Sequence, residues 1–145
     1  MYRFLVLVLV LAACGSSETD LETSFCDILA SGPFDDLVAT STTADAPTST
    51  LDDRAADVDL TSGTFIAFTP DEAGSYVFGL SDDVDFVVVD EAGEPLVRAD
   101  EVLGADCDTL AVRSTWNLTA ATYYLSFDTT AASVLVTAEE SDDDL

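Results

Sequence analysis

The chain has 145 residues, 48% of them hydrophobic, and its 4 Lys and Arg residues stand against 29 Asp and Glu residues, a formal net charge of -25. This length fits one domain, and the hydrophobic content predicts a folded body with acid-rich loops rather than a disordered chain. The charge excludes nucleic acid as a partner, because a phosphate backbone requires a basic surface. The sequence contains no histidine and no lysine, so we expect no enzymatic activity of the common acid–base or covalent-lysine kinds.

Residues 1–13 have the layout of an export signal. Arg3 is followed by an apolar run that begins at Phe4, and small residues precede Cys14. The run is shorter than the ~20 apolar residues that a membrane-spanning helix needs. We therefore predict a signal peptide that is cleaved after residue 13.

The four residues Leu11-Ala12-Ala13-Cys14 resemble the lipobox of bacterial lipoproteins, in which the cysteine is acylated with fatty chains such as palmitate and becomes the new N-terminus. The resemblance implies a lipid anchor on Cys14, the membrane as a partner, and a place in the cell envelope outside the cytoplasm. Gly15, where an aspartate would favour retention in the inner membrane, implies the outer membrane in a Gram-negative cell. The alternative is an ordinary signal peptide with a cysteine near its cleavage site.

Two cysteines, Cys26 and Cys107, remain after cleavage if Cys14 carries lipid. An even number of cysteines in an exported chain predicts a disulfide, here closing a loop of about 80 residues. The alternative is a thiol pair that binds metal or acts as a redox centre. The sequence gives this alternative no histidine, no C-x-x-C motif and no third mature cysteine.

The lipidated cysteine and a flexible spacer are predicted over residues 14–20, and a helix capped by Thr19 or Asp20 is predicted to run to about Ser31. Gly32-Pro33 should stop this helix. Its apolar stripe consists of residues with helical spacing: Leu21, Phe25, Ile28 and Leu29.

The domain is predicted over residues 21–140 as all-β: a jelly-roll-like antiparallel sandwich of about 8 strands with one short N-terminal helix. Weak strand signal occurs at residues 37–42 and 48–51. Clearer strand patterns, separated by turn residues, occur at residues 64–68, 76–80, 84–89, 96–99, 110–113, 116–118, 123–127 and 134–137. The near-continuous apolar run at 84–89 predicts a strand covered on both faces. From Glu139 the chain is predicted to fray, and residues 141–145 form an acidic tail.

The hydrophobic spacing of the last 90 or so residues resembles bacterial pre-peptidase C-terminal domains, with Ala121 where that family usually has glycine. The resemblance implies a non-catalytic role in binding protein or carbohydrate surfaces, or in assisting the export and folding of another protein. The segments that carry it are residues 57–60, 65–68, 74–78, 85–90 with Gly93, and 118–125.

Asp82, Asp83 and Asp85 crowd one predicted loop and are the candidate ligands of a Ca²⁺ ion. Calcium requires six to eight converging oxygens, and the sequence has no EF-hand spacing. The alternative is a hydrated acidic surface of the kind that suits a salty habitat, with no cofactor bound.

Two hypotheses about function follow, from different classes. The first is a membrane-anchored lipoprotein whose sandwich is a non-catalytic binding or structural module for an unidentified protein or carbohydrate partner. The second is a Ca²⁺-dependent adhesive or carbohydrate-binding module, for which Trp116 and Tyr124 are the candidate ligand-contacting aromatics. Catalysis by a carboxylate pair is a third possibility that the abundance of acids leaves open.

Overall fold

The computed structural model describes residues 18–105 and 107–141. The predicted signal peptide, Cys14 and residues 142–145 of the predicted tail lie outside these residues. Within them, the chain begins with helix α1 (Glu18–Ser31) and has a 3-10 turn at Thr43–Asp45. Ten strands follow α1: β1 (Phe34–Val38), β2 (Thr48–Ser49), β3 (Ala55–Asp59), β4 (Phe65–Phe68), β5 (Gly74–Leu80), β6 (Asp85–Val89), β7 (Asp100–Leu103), β8 (Val112–Leu118), β9 (Tyr123–Asp128) and β10 (Ser133–Ser141).

The strands form two sheets packed face to face, which confirms the predicted β-sandwich. The larger sheet has the order β1-β3-β10-β5-β8-β7, and the smaller has the order β2-β4-β9-β6. Pairing is antiparallel except for β1 with β3 and β2 with β4. Strands that are distant in sequence are thus neighbours in both sheets.

The core between the sheets follows from the two-residue period of the strands, since alternate side chains point to one face. Tyr76, Phe78 and Leu80 of β5 are buried in it, as the alternation predicts. Rings meet edge-on across the two sheets, where the Phe78 and Phe86 centroids are 5.8 Å apart, and tilted within the smaller sheet, where the Phe86 and Phe127 centroids are 5.9 Å apart. Such contacts add to the free energy gained by removing apolar area from water.

Helix α1 covers the outer face of the larger sheet. Phe25 and Leu29 are buried there with Ala55, Val77 and Leu110, and they form a second apolar cluster. The helix was predicted from its apolar spacing, and it begins at Glu18, so residues 18–20 belong to the helix rather than to the predicted spacer. Because α1 covers it, β5 is buried on both faces rather than on one.

Several strand predictions differ from the structure, whose described residues form ten strands rather than about 8 and join the predicted strands 110–113 and 116–118 in the single strand β8. Of residues 84–89, Asp85–Val89 form β6, an edge strand whose Val87 is 37% exposed, so this strand is not covered on both faces. Residues 96–99 are not a strand, and the pairing with β8 is made instead by Asp100–Leu103. The chain does not fray at Glu139 and Glu140, because both residues lie near the end of β10 and pair with β5.

Candidate functional site

The structure confirms the predicted disulfide between Cys26 and Cys107. The sulfur atoms are 2.01 Å apart and the Cα atoms 6.1 Å apart. Cys26 lies in α1 and Cys107 lies in the connection between β7 and β8. The Thr109 hydroxyl lies 3.3 Å from the Cys107 sulfur and donates to the Cys26 carbonyl oxygen at 3.2 Å. The bond therefore fastens the helix covalently to the larger sheet.

The three aspartates predicted as calcium ligands do not form a ligand set. Asp82 accepts a hydrogen bond from the Ser81 hydroxyl at 2.9 Å, Asp83 is exposed, and Asp85 lies 3.8 Å from Arg98 at the start of β6. Residues 18–105 and 107–141 contain no group of three or more acidic or cysteine side chains placed to hold a metal ion. Local density of aspartates in the sequence does not produce convergence here: Asp82 contacts Ser81, whereas Asp85 faces Arg98.

The two predicted ligand-contacting aromatics have different surroundings. Trp116 is only 2% exposed, its indole N–H donates to the Ser114 hydroxyl at 3.1 Å, and the Arg98 guanidinium lies 5.9 Å from its ring centroid. Trp116 is therefore a core residue that offers no ring face to a ligand in this structure. Tyr124 is half-buried in β9, beside Val89 and Ala67 of the neighbouring strands.

A cleft of about 110 Å³ opens at one end of the sandwich, between the two sheets. Its walls come from the segment before β3, the end of β4 with the following turn, and strands β5 and β10. Phe68 and Tyr76 form an apolar wall, with ring centroids 5.7 Å apart. Four carboxylates line the cleft: Asp52, Asp71, Glu139 and Glu140.

The electrostatics of this cleft are set by burial and by the crowding of carboxylates. Burial raises the pKa of Glu139, the Ser24 hydroxyl that donates to it at 2.5 Å lowers that pKa, and Asp53 and Asp52 raise it. Burial also raises the pKa of Tyr76, whose hydroxyl donates to the Glu72 carbonyl oxygen at 3.1 Å. The cleft repels anions and suits a small cation or a hydrogen-bond donor.

Replacing Glu139 by glutamine is expected to stabilise the protein at neutral pH. Folding raises the pKa of the Glu139 carboxyl above its ordinary value of 4.5, so the ionised carboxylate opposes folding. The wild type therefore gains stability as the pH falls from above the folded pKa toward 4.5. Glutamine keeps an oxygen for the Ser24 hydroxyl but carries no charge. Thermal melts from pH 4 to pH 8 at fixed ionic strength should show Glu139→Gln above wild type at pH 7 and converging with it in acid. Glu140→Gln, an exposed neighbour, is the control for net charge; an equal gain there would contradict the role of burial.

The sequence did not predict this cleft. Its residues come from four separate segments, and Tyr76 had already been assigned to the core by its alternation. The only signal, a high density of acids, is present in most loops of the chain. Predicting the cleft requires the pairing of β10 with β5, because this pairing brings Glu140 opposite Tyr76.

Comparison with known protein families and with curated proteins finds no match for this chain. In the described part of the chain, no helix has both the length and the apolar character needed to cross a bilayer.

Proposed function

We propose that this protein is a membrane-anchored, extracytoplasmic lipoprotein whose β-sandwich is a non-catalytic binding or structural module. The observation that carries the proposal is the lipobox-like Leu11-Ala12-Ala13-Cys14, which stands directly before a folded domain closed by a disulfide. Disulfides persist in exported proteins and are rare in the cytosol. The Cys26–Cys107 bond therefore supports the same compartment as the lipobox does.

The charge distribution supports a module that engages neutral or cationic groups. Each arginine of residues 18–105 and 107–141 is already ion-paired: Arg54 with Asp35, Arg98 with Glu101, and Arg113 with Glu22. The surface therefore offers carboxylates in excess, and a polyanionic partner would be repelled. A protein or carbohydrate surface without excess negative charge fits this domain, and the resemblance to pre-peptidase C-terminal domains implies binding of protein or carbohydrate surfaces.

The non-catalytic part of the proposal is supported by the chemistry of the side chains. The sequence supplies no histidine and no lysine, so a serine nucleophile lacks its usual base, and Cys26 and Cys107 are joined in a disulfide. We infer that the domain acts by contact rather than by bond making.

The proposal is tested by expressing the full chain in a bacterium and measuring the mass of the mature protein. We expect cleavage before Cys14, a mass increase that matches fatty acylation, and recovery in the detergent-solubilised membrane fraction. Cys14→Ser should lose the lipid and leave the membrane fraction while keeping the Cys26–Cys107 bond. An intact leader or an unmodified Cys14 in the native product would contradict the proposal.

A further inference from the structure

Three large apolar side chains of one segment, residues 97–103, are exposed. Val97 is 90% exposed, Leu103 is 64% exposed and Val102 is 38% exposed. We refer to these three residues as the apolar edge. The segment that carries them first runs beside β6, where the Leu96 N–H donates to the Val88 carbonyl oxygen at 2.8 Å, and then continues as β7, the last strand of the larger sheet.

Helix α1 crosses the larger sheet, and its N-terminal end points toward this edge. Near its start, Glu22 pairs with Arg113 of β8 at 3.1 Å. Farther along, Phe25 lies against Gly79 of β5, and Leu29 shares a buried cluster with Ala55 of β3. Glu22 near the start of the helix thus contacts β8, whereas Leu29 near its end packs toward β3, so the helix begins nearer to the β7 edge of the sheet than it ends.

The register of β7 places the apolar edge close to the beginning of the helix. Val102 lies directly opposite Arg113 in the β7–β8 pair. Directly opposed residues of an antiparallel pair point to the same face of a sheet. Val102 thus shares the outer face with α1, next to the arginine that binds Glu22.

The link between Cys14 and the first residue of α1 is short. Cys14 precedes Glu18, the first residue of α1, by four positions. At full extension this link reaches only about 14 Å. A six-stranded sheet is about 24 Å across. A lipid on Cys14 would therefore keep the start of α1 within about 14 Å of the bilayer and the β7 side of the domain nearer to it than the β1 edge.

We propose that the apolar edge is a bilayer-contact surface, through which the domain rests on the membrane that holds its own lipid anchor. This inference rests on the proposed function, because it takes Cys14 to be lipidated. The side chains of Val97, Leu103 and Val102 enter the headgroup region, and burial of their apolar area adds to the affinity that the acyl chains supply. Asp100 and Glu101 flank the edge, so contact is favoured on zwitterionic lipid and opposed on anionic lipid.

The test compares amide hydrogen exchange in the lipidated protein on phosphatidylcholine vesicles with exchange in the Cys14→Ser protein in solution. We expect amides of residues 96–104 to exchange several-fold more slowly on the vesicles. Amides of β1 serve as an internal control, since β1 is the opposite edge strand of the same sheet and carries the exposed Phe34 and Val38. Their exchange should not change.

A matched pair of variants separates contact from anchoring. Val97→Glu with Leu103→Glu should remain in the vesicle fraction through its lipid but lose the slowed exchange, whereas Phe34→Glu with Val38→Glu should keep it. Equal exchange of residues 96–104 with and without vesicles, or equal slowing at both edges, would overturn this inference alone. Slowing that appears in the Cys14→Ser protein as its concentration rises would overturn it in favour of pairing between two copies. An unmodified Cys14 would overturn the proposed function together with this inference.

Discussion

Loss of the Cys26–Cys107 disulfide is expected to lower the free energy of unfolding by about 4 kcal/mol. The bond joins cysteines separated by 81 positions, and closing so long a loop removes much of the entropy of the unfolded chain. It also fixes α1 to the sheet, so once the bond is removed the helix is held by non-covalent contacts only, chiefly the buried Phe25 and Leu29 and the Glu22–Arg113 ion pair. Among changes that leave the core side chains intact, this one should have the largest effect.

Guanidinium denaturation of Cys26→Ser with Cys107→Ser, followed by circular dichroism, measures this loss. The oxidised wild type is the reference, and the wild type with its disulfide reduced is the matched control, which should lose the same stability without any substitution. Thr109→Val tests the contribution of the neighbouring hydroxyl, whose hydrogen bond to Cys26 should account for only about 1 kcal/mol. A loss below about 1 kcal/mol in both the serine variant and the reduced protein would show that the helix packing suffices by itself.

The parts of the fold that sequence reasoning predicted are those with an uninterrupted period. The apolar spacing that includes Phe25 and Leu29 specifies α1 because it repeats over more than two turns. The alternation at Tyr123, Leu125 and Phe127 specifies the buried face of β9 in the same way. In both cases one face of a local element carries the whole signal, and no distant residue needs to be known.

The position of Trp116 was not predicted by the local hydrophobic pattern. The inward face of β8 consists of Val112, Ser114, Trp116 and Leu118. Ser114 interrupts the apolar alternation, so the sequence indicated two short strands and left Trp116 as a candidate for the surface. In the folded strand the serine hydroxyl accepts the indole N–H, and this hydrogen bond allows both polar groups to be buried.

The remaining differences arise from pairing between distant segments. β1 contains Asp35 and Asp36 and has a poor strand signal, yet it pairs in parallel with β3. Arg54, the residue before β3, donates to both carboxylate oxygens of Asp35 at 2.9 Å. The cleft near Glu139 and the apolar edge at β7 likewise depend on which strands become neighbours. Strand order in this sheet is set by global packing, which hydrophobic period alone does not encode.

Replacing Phe25 by alanine is expected to lower the free energy of unfolding by about 4 kcal/mol, and replacing Gly79 by alanine to lower it by about 2 kcal/mol. The Phe25 side chain is fully buried, and it occupies the space that the missing side chain of Gly79 leaves on β5. A Cβ atom at Gly79 would lie 2.6 Å from Cδ2 of Phe25 and 3.1 Å from Cδ1 of Leu110. Neither ring nor leucine can retreat without opening the cluster under α1.

The two substitutions should therefore compensate each other. In the double variant the added methyl group enters space that the absent ring has left, so the loss should be close to that of Phe25→Ala alone, a coupling of about 2 kcal/mol. Gly74→Ala is the matched control in the same strand, because the atom nearest to its added Cβ belongs to the movable carboxylate of Glu140. Denaturant titrations of the four proteins in the cycle, and of the control, measure the coupling. Additive losses would mean that Phe25 and Gly79 do not share this contact.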